Sequence, residues 1–347
     1  MAVDERYSRQ VLFRGLGAAG QERLAAANAL LVGCGALGSH VADLLVRAGV
    51  GTLTIVDRDF VERSNLHRQT LFDEDDVAQG MPKAVAAARR LKGVNPLVRV
   101  VPQAVHLDAG NIEGLAAGAG ILLDGTDNFE TRFVINDYAL RRGVPWIYAA
   151  CVGSYGLTMT ILPGETPCLR CLVRVQPPAG SVETCDTAGV IAPVAAVIAA
   201  VEAAEAIKIL SGAHAAASRD LFAIDLWDNT VQRLRLERDP IAAGCPACER
   251  GEYEYLERRL GGRAATLCGR NAVQIHAGAG PGAGAGVDLA VIETRLRATG
   301  PVLRNPFLVR AEIEGLTIAV FADGRAIVTG TADPARARSL YDRYVGS

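Results

Sequence analysis

The first 150 residues alternate between short apolar runs and segments with helical periodicity. The apolar runs predict strands at residues 29–32, 52–56, 98–101, 121–124 and 146–149. The segments between them predict helices at residues 39–48, after Pro82 and at residues 131–141. Strands that alternate with helices in this way are typical of a Rossmann-like, doubly wound α/β fold with a parallel sheet.

The pattern changes after residue 156. The run LTMTILPG has strand periodicity, residues 193–210 predict a long helix, and LFAIDLWDNTVQRLRL predicts two strands that turn at Asp228 and Asn229, so the sheet continues with antiparallel strands. Beyond Cys248, further strands and two helices predict a small α+β unit. We therefore expect an ATP-binding domain with a zinc site at residues 1–250 and an α+β extension at residues 251–347.

A glycine-rich turn follows the first predicted strand. The stretch LLVGCGALGSH contains Gly33, Gly35 and Gly38, and Asp57 ends the second strand. Glycines at this spacing let backbone N–H groups approach a phosphate, and the carboxylate of Asp57 can accept both ribose hydroxyls. The turn alone predicts a nucleotide without choosing between NAD and ATP, and strand–helix packing is the structural alternative.

The polar residues after Asp57 favour a triphosphate. Asn65, Arg68 and Gln69 follow closely, and Lys83 lies in the first turn of the next predicted helix. Two cations near the phosphates exceed what NAD needs, but they suit an attack on phosphorus, which builds up negative charge. The alternative is that Arg68 and Lys83 are solvated surface charges.

The strand at residues 121–124 ends in ILLDGTDN. Asp124 or Asp127 at the carboxyl end of a central strand is well placed to hold Mg²⁺ on the phosphates. The alternative is that Asp127 or Asn128 caps the helix that follows.

Two CxxC pairs lie more than seventy residues apart. Cys168, Cys171, Cys245 and Cys248 form the pattern of a closed, structural Zn²⁺ site, with a redox-active CxxC as the alternative. Cys185 lies in a polar, turn-rich segment before a helix, where a thiol can be exposed and reactive. A sulfur-transfer role and a passenger thiol remain equal alternatives for it.

Composition narrows the environment and the partners. A formal charge of -2 and a pI near 6.2 give no basic surface for nucleic acid or an anionic membrane. The most apolar segment, residues 190–210, contains Glu202, Glu205 and Lys208, which disfavour a membrane span. The charged start of the chain and eight cysteines without a disulfide pattern lead us to expect a cytoplasmic protein.

Together and in this order, the motifs RYSRQ, GCGALGS, VDRDFVERSNLHRQ, PK, DGTDN and the CxxC pairs resemble the ThiF/MoeB group of adenylyltransferases over about residues 5–250. The resemblance implies that Mg-ATP activates the C-terminal glycine carboxylate of a ubiquitin-like sulfur carrier with a Gly-Gly tail. It also implies that pyrophosphate is released. A sulfurtransferase or cysteine desulfurase is an expected further partner.

The resemblance also implies roles for individual residues. Asp57 would bind the ribose, Asn65, Arg68 and Lys83 the phosphates, and Asp127 the magnesium ion. Gln69 and Asn128 complete the expected nucleotide site. Cys185 corresponds to a position that some members use covalently, and Arg9 to an arginine that reaches into the partner's ATP site in a homodimer.

The residues after 250 resemble an extension of some bacterial thiazole-pathway members. We therefore expect a carrier of the ThiS type, serving thiamine thiazole synthesis. The alternatives are activation of a MoaD-like carrier by a MoeB-type enzyme, an NAD-dependent oxidoreductase, a non-catalytic zinc-containing scaffold, and a tRNA-base dehydratase of the same family.

Overall fold

The computed structural model describes residues 4–178, 181, 183–185, 187–258, 266–267, 271–275 and 287–345. The chain divides into two compact units. The first comprises Met1–Glu74, Pro82–Pro177 and Ala188–Gly261, and the second comprises Asp75–Met81, Pro178–Thr187 and Gly262–Ser347.

The first unit contains an eight-stranded sheet in the order β3-β2-β1-β4-β5-β6-β7-β8. Its strands are β1 (Asn28–Val32), β2 (Thr52–Val56), β3 (Arg99–Gln103), β4 (Ile121–Asp124), β5 (Trp146–Val152), β6 (Tyr155–Ile161), β7 (Asp220–Asp225) and β8 (Thr230–Arg235). The pairs from β3 to β5 are parallel, and those from β5 to β8 are antiparallel. The predicted doubly wound sheet with an antiparallel continuation is confirmed.

Helices lie between the parallel strands of the first unit as predicted, and the described residues form further helices outside this alternation. They are α1 (Ser8–Val11), α2 (Gly17–Ala26), α3 (Ala36–Ala48), α4 (Glu74–Ala78), α5 (Lys83–Val94), α6 (Ile112–Leu115), α7 (Phe129–Arg142), α8 (Leu169–Leu172), α9 (Ala192–Leu210), α10 (Arg238–Ile241), α11 (Leu289–Arg297) and α12 (Pro334–Tyr344). Helix α3 ends at Gly49, whose φ of 86° closes it in the left-handed conformation that glycine adopts readily.

The sheet order places the candidate site. Strand β1 pairs with β2 on one side and with β4 on the other, and all three are parallel. Their carboxyl ends therefore share one edge, where the chain order of the strands reverses. Open α/β sheets bind ligands in the crevice at such a reversal.

Helix α9 packs against α3 and against strands β4, β5 and β6. Its apolar residues are therefore covered by protein, as predicted for a buried helix, and Glu202 and Glu205 within it are also buried. No helix among the described residues is long and apolar enough to span a membrane.

The second unit contains a separate sheet with the order β11-β12-β13-β14-β10-β9, in which every pair is antiparallel. Its strands are β9 (Thr266–Leu267), β10 (Ala272–Ile275), β11 (Val302–Arg304), β12 (Leu308–Ile313), β13 (Leu316–Phe321) and β14 (Ala326–Thr329). Apolar residues of α11 and α12 pack on this sheet. The predicted α+β character is confirmed, and the short strand β11 was not predicted.

Candidate functional site

The glycine turn connects β1 to α3, and its three glycines differ in how closely other backbone atoms approach them. A Cβ atom on Gly33 would collide with the carbonyl oxygen of Gly125, and one on Gly38 with the carbonyl oxygen of Gly33. Both are therefore needed for close backbone packing against the end of β4. Gly35 is the N-cap of α3, and a Cβ there would make ordinary contacts, 3.8 Å from Gln69 Nε2 and 4.0 Å from the carbonyl oxygen of Gly125.

Asp57 follows β2 and lies beside this turn. One carboxylate oxygen accepts a 2.6 Å hydrogen bond from Cys34 N–H, and the other accepts a 2.7 Å bond from Asp59 N–H. Burial raises the pKa of Asp57, and the charge of Lys83 partly offsets the rise. The carboxylate is thus fixed at the turn, which is where the predicted ribose contact requires it.

Lys83 is the first residue of α5 and is almost completely buried. Its Nζ lies 3.4 Å from Asp59 Oδ2, so the side chain is ion-paired and is not a solvated surface charge. Asp59 was not among the predicted site residues, although its position two residues after Asp57 in VDRD would have indicated a second carboxylate near the turn.

Asn65, Arg68 and Gln69 are all buried on the segment after Asp57. Asn65 Oδ1 accepts a bond from Glu62 N–H, and Arg68 Nη1 donates a 2.7 Å bond to Ser64 O. The amide oxygen of Gln69 has no hydrogen-bond partner among the described residues. A buried polar atom without a protein partner calls for an explanation, and a bound water or ligand is one.

Asp124, at the end of β4, does not have the free carboxylate that a metal ligand needs. Its Oδ1 accepts bonds from the N–H and the hydroxyl of Thr126, and its Oδ2 accepts a 2.9 Å bond from Arg132 Nε. Burial raises the pKa of Asp124, and Arg132 acts in the opposite direction. The suggestion that Asp124 holds magnesium is therefore corrected, since the side chain organises the loop that follows.

Asp127 and Asn128 lie on that loop. Asn128 Oδ1 accepts a 2.9 Å bond from Thr131 N–H and caps α7, which is the alternative raised from the sequence. Its contact with a nucleotide stays a prediction. Asp127 is exposed at the carboxyl edge of the sheet, where a carboxylate can reach a bound metal–phosphate complex.

Arg9 lies on the short helix α1 and is exposed. Leu12 and Phe13, which follow it, are 71% and 70% exposed. Large apolar side chains left this open beside an arginine are typical of a protein interface.

The four predicted zinc ligands come together. The Sγ atoms of Cys168, Cys171, Cys245 and Cys248 lie within 4.8 Å of one another. Neighbouring Sγ atoms are 3.7, 3.7 and 3.4 Å apart. A tetrahedral zinc ion with Zn–S bonds of about 2.3 Å separates its sulfurs by about 3.8 Å, so this donor set fits zinc.

Residues 245–258 are also tied to α7 near this cluster. Asp137 Oδ2 accepts a 2.9 Å bond from Tyr255 N–H, and burial raises the pKa of Asp137 to about 6. The guanidinium of Arg170 lies over the rings of Phe133 and Tyr255. The cysteine cluster therefore lies in a packed environment, as expected of a structural site.

Cys185 lies in a turn of the second unit and is half-buried. Its predicted role in sulfur transfer stays a prediction. The buried Cys34 is a poor nucleophile, because burial and the negative charge of Asp57 raise the pKa of its thiol.

The fold and the site define a doubly wound α/β protein with a glycine turn at its ligand edge and a four-cysteine cluster that fits a metal ion. Residues 7–247 match the ThiF family model, and the chain belongs to the ThiF family.

Curated relatives extend this result. The chain is 44% identical over 345 residues to the sulfur carrier protein ThiS adenylyltransferase of Bacillus subtilis, covering 98% of this chain and 99% of that protein. It is 36% identical over 244 residues to the molybdopterin-synthase adenylyltransferase of Escherichia coli, covering 70% of this chain and 95% of that protein. The resemblance to adenylyltransferases of the ThiF/MoeB group is confirmed.

A solved structure shows the same fold. MccB of Escherichia coli in complex with ATP superposes with a TM-score of 0.61 and 27% identity, covering 70% of this chain and 74% of that chain.

Proposed function

We propose that this chain is an ATP-dependent adenylyltransferase that activates the C-terminal glycine carboxylate of a ubiquitin-like sulfur carrier as an acyl adenylate, with release of pyrophosphate. The carrier is of the ThiS type, and the activated carrier supplies sulfur for thiamine thiazole synthesis. The likeness to the Bacillus subtilis ThiS adenylyltransferase supports this assignment, because it extends over almost the whole chain, including the region after residue 250.

The geometric observation that carries the proposal is the group of buried polar side chains after Asp57. Gln69 Nε2, a hydrogen-bond donor, lies 3.8 Å from the position that a Cβ on Gly35 would take, and Arg68 and Lys83 add two buried positive charges after Asp57. A nucleotide phosphate would satisfy the open N–H groups at the start of α3, and the two cations would stabilise the negative charge of a triphosphate.

The reaction needs little proton transfer from the protein. The carrier carboxylate is already ionised, so its attack on the α-phosphorus depends on position and on charge stabilisation. Asp57 holds the ribose, while Asn65, Gln69, Arg68 and Lys83 contact the phosphates. Asp127 and Asn128 lie on the loop that faces them. Magnesium, when bound through Asp127, would neutralise phosphate charge.

The cysteine cluster holds one structural Zn²⁺ ion. Four thiolates leave no open coordination position for a substrate. Such ligands must stay reduced, so we place the protein in the cytoplasm. A sulfurtransferase or cysteine desulfurase completes the sulfur transfer, with or without Cys185 as a relay.

Parallel exchange assays test the function. Purified protein is incubated with ATP, magnesium, labelled pyrophosphate and one Gly-Gly carrier at a time. We expect exchange into ATP that depends on the carrier and is fastest with a ThiS-like one. Binding of NAD without any exchange would contradict the proposal and favour an oxidoreductase, while carrier binding without exchange would favour a non-catalytic scaffold.

A second candidate function is activation of the MoaD-like carrier of molybdopterin synthase. The 36% identity to the Escherichia coli enzyme over 95% of its length favours it. That match leaves about a third of the present chain uncovered, so the ThiS assignment is preferred. Faster exchange with a MoaD-like carrier would reverse the order.

We further propose that the active form is a homodimer in which Arg9 completes the partner's site. The exposure of Arg9 and of the adjoining Leu12 and Phe13 supports this proposal. Arg9→Ala and Asp127→Ala are each expected to abolish exchange. Mixed dimers containing one chain of each kind are expected to regain one working site, because that site has Asp127 in its own chain and Arg9 in the other.

The two variants carry different tags, and their dimers are dissociated, mixed and allowed to reassociate. Purification through both tags in succession then isolates the mixed dimer. Activity near half that of the wild type is the expected result. No recovery in a correctly assembled mixed dimer would show that Arg9 does not act across the interface.

A further inference from the structure

Glu202 is a buried carboxyl group that the proposed chemistry does not use. It lies on α9, and its exposure is 0%. Its Oε1 accepts a 3.0 Å hydrogen bond from Asp124 N–H, and its Oε2 has no hydrogen-bond partner in the described ranges. Burying a carboxyl group with an unpartnered oxygen costs free energy of folding, so the presence of Glu202 at this position needs an explanation.

Burial and the neighbouring carboxylate of Asp124 raise the pKa of Glu202 well above its usual range. Arg132, the nearby cation, is already engaged by Asp124 at 2.9 Å. Glu202 therefore serves as the acceptor for one backbone N–H group, while Arg132 is ion-paired with Asp124.

That N–H group belongs to the residue from which the ligand-facing loop starts. Asp124 Oδ1 accepts hydrogen bonds from the N–H and the hydroxyl of Thr126, and Arg132 Nη2 donates a 2.7 Å bond to Thr126 O. Arg132 Nη2 also donates a 3.1 Å bond to Ala149 O on β5. The end of β4 and the first half of the loop are thus held by a chain of buried bonds that runs from α9 to β5.

Asp127 is the next residue after Thr126 and is itself exposed. Its backbone follows directly from Asp124 and Thr126, and its charge also acts on Arg132, which binds both of those residues. Loss of one buried acceptor leaves the Asp124 N–H unsatisfied and lets the end of β4 shift towards another partner. A shift of this kind, transmitted over three residues, would displace the Asp127 carboxylate without removing any ligand-contacting group.

We propose that Glu202 is a positioning residue of the nucleotide site, which acts through the backbone of Asp124 to fix the loop that carries Asp127. The inference rests on the proposed role of this loop in handling magnesium–ATP. It extends the site to the buried middle of helix α9.

The test compares three replacements of Glu202. Glu202→Gln keeps the acceptor oxygen and the size of the side chain, whereas Glu202→Leu and Glu202→Met remove the acceptor and keep the bulk. Ile209→Ala, near the far end of α9 and equally buried, is the control for loss of stability without any link to Asp124.

We measure kcat and KM for ATP in carrier-dependent exchange, together with the magnesium concentration that gives half-maximal rate. Glu202→Leu and Glu202→Met are expected to lower kcat about tenfold and to raise the magnesium requirement, with KM for ATP changed less than threefold. Glu202→Gln should behave like the wild type. Ile209→Ala should lower only the melting temperature.

Equal kcat and magnesium requirement in the wild type and in a folded Leu or Met variant would overturn the proposal. Failure of both variants to fold while Gln folds would also overturn it, because the bond would then serve the sheet as a whole. Binding of ATP with and without magnesium, measured by calorimetry without carrier, gives a separate readout. If the wild type shows no exchange, the proposed function fails, yet the magnesium dependence of ATP binding still tests Glu202.

Discussion

Replacing Arg68 by Ala is expected to lower the rate of carrier-dependent pyrophosphate exchange about 100- to 1000-fold, with the fold intact. The Arg68 side chain is buried, and only Nη1 has a hydrogen-bond partner among the described residues, Ser64 O with a distant contact to His67. The rest of the guanidinium is available to a ligand. Initial rates at saturating carrier and a melting curve measure the two effects.

Arg68→Lys should restore little of the activity, because an ammonium group cannot reproduce the planar fork that clamps phosphate oxygens. Arg90→Ala removes an exposed arginine on α5 and serves as the matched control, with exchange expected at the wild-type rate. Asp127→Ala is expected to be as damaging as Arg68→Ala. Near-normal exchange in either variant would remove that residue from the proposed site.

Replacing Cys245 by Ser is expected to abolish zinc binding and to lower the melting temperature by about 10 °C or more. The cysteine is fully buried, and its Sγ lies 3.7 Å from that of Cys168. Without the metal, Asp137 and Arg170 remain to hold residues 245–258 against α7. We expect this segment to become the first site of protease cleavage.

Metal analysis and melting curves with and without a chelator measure the effect. The wild type should contain one zinc ion per chain and lose stability on chelation. Cys151→Ser, which changes a half-buried cysteine on β5 outside the cluster, should keep both the zinc and the melting temperature. A folded wild-type protein without stoichiometric zinc would refute the site.

The glycine turn shows what a local sequence pattern can and cannot predict. Glycine spacing predicted both a phosphate turn and strand–helix packing, and in the structure close packing requires Gly33 and Gly38, whereas a Cβ at Gly35 would make only ordinary contacts. The collision partner of Gly33 is Gly125, which lies about ninety residues further along the chain. A pattern within one turn cannot report on a backbone approach that the sheet creates.

The residues at the end of β4 are a second case in which a local pattern predicted the residue types but not their contacts. The sequence predicted that carboxylates gather at the end of this strand, and it left metal binding and capping open for them. The structure buries Asp124 against Arg132 and uses Asn128 as a cap, and of the two aspartates Asp127 is the exposed one. Glu202 joins this group from a helix 78 residues away in the chain, and no local signal pointed to it.

The sequence alone determined the alternation of strands and helices, the glycine turn with Asp57 and the pairing of two CxxC motifs, because periodicity and backbone demands are local properties. The tertiary structure decided which polar side chains are hydrogen-bonded or ion-paired within the protein and which keep polar atoms for a ligand. Lys83 pairs with Asp59, Asp124 with Arg132, and Gln69 keeps an unpartnered oxygen. Those choices depend on desolvation and on distances between segments that only the folded sheet brings together.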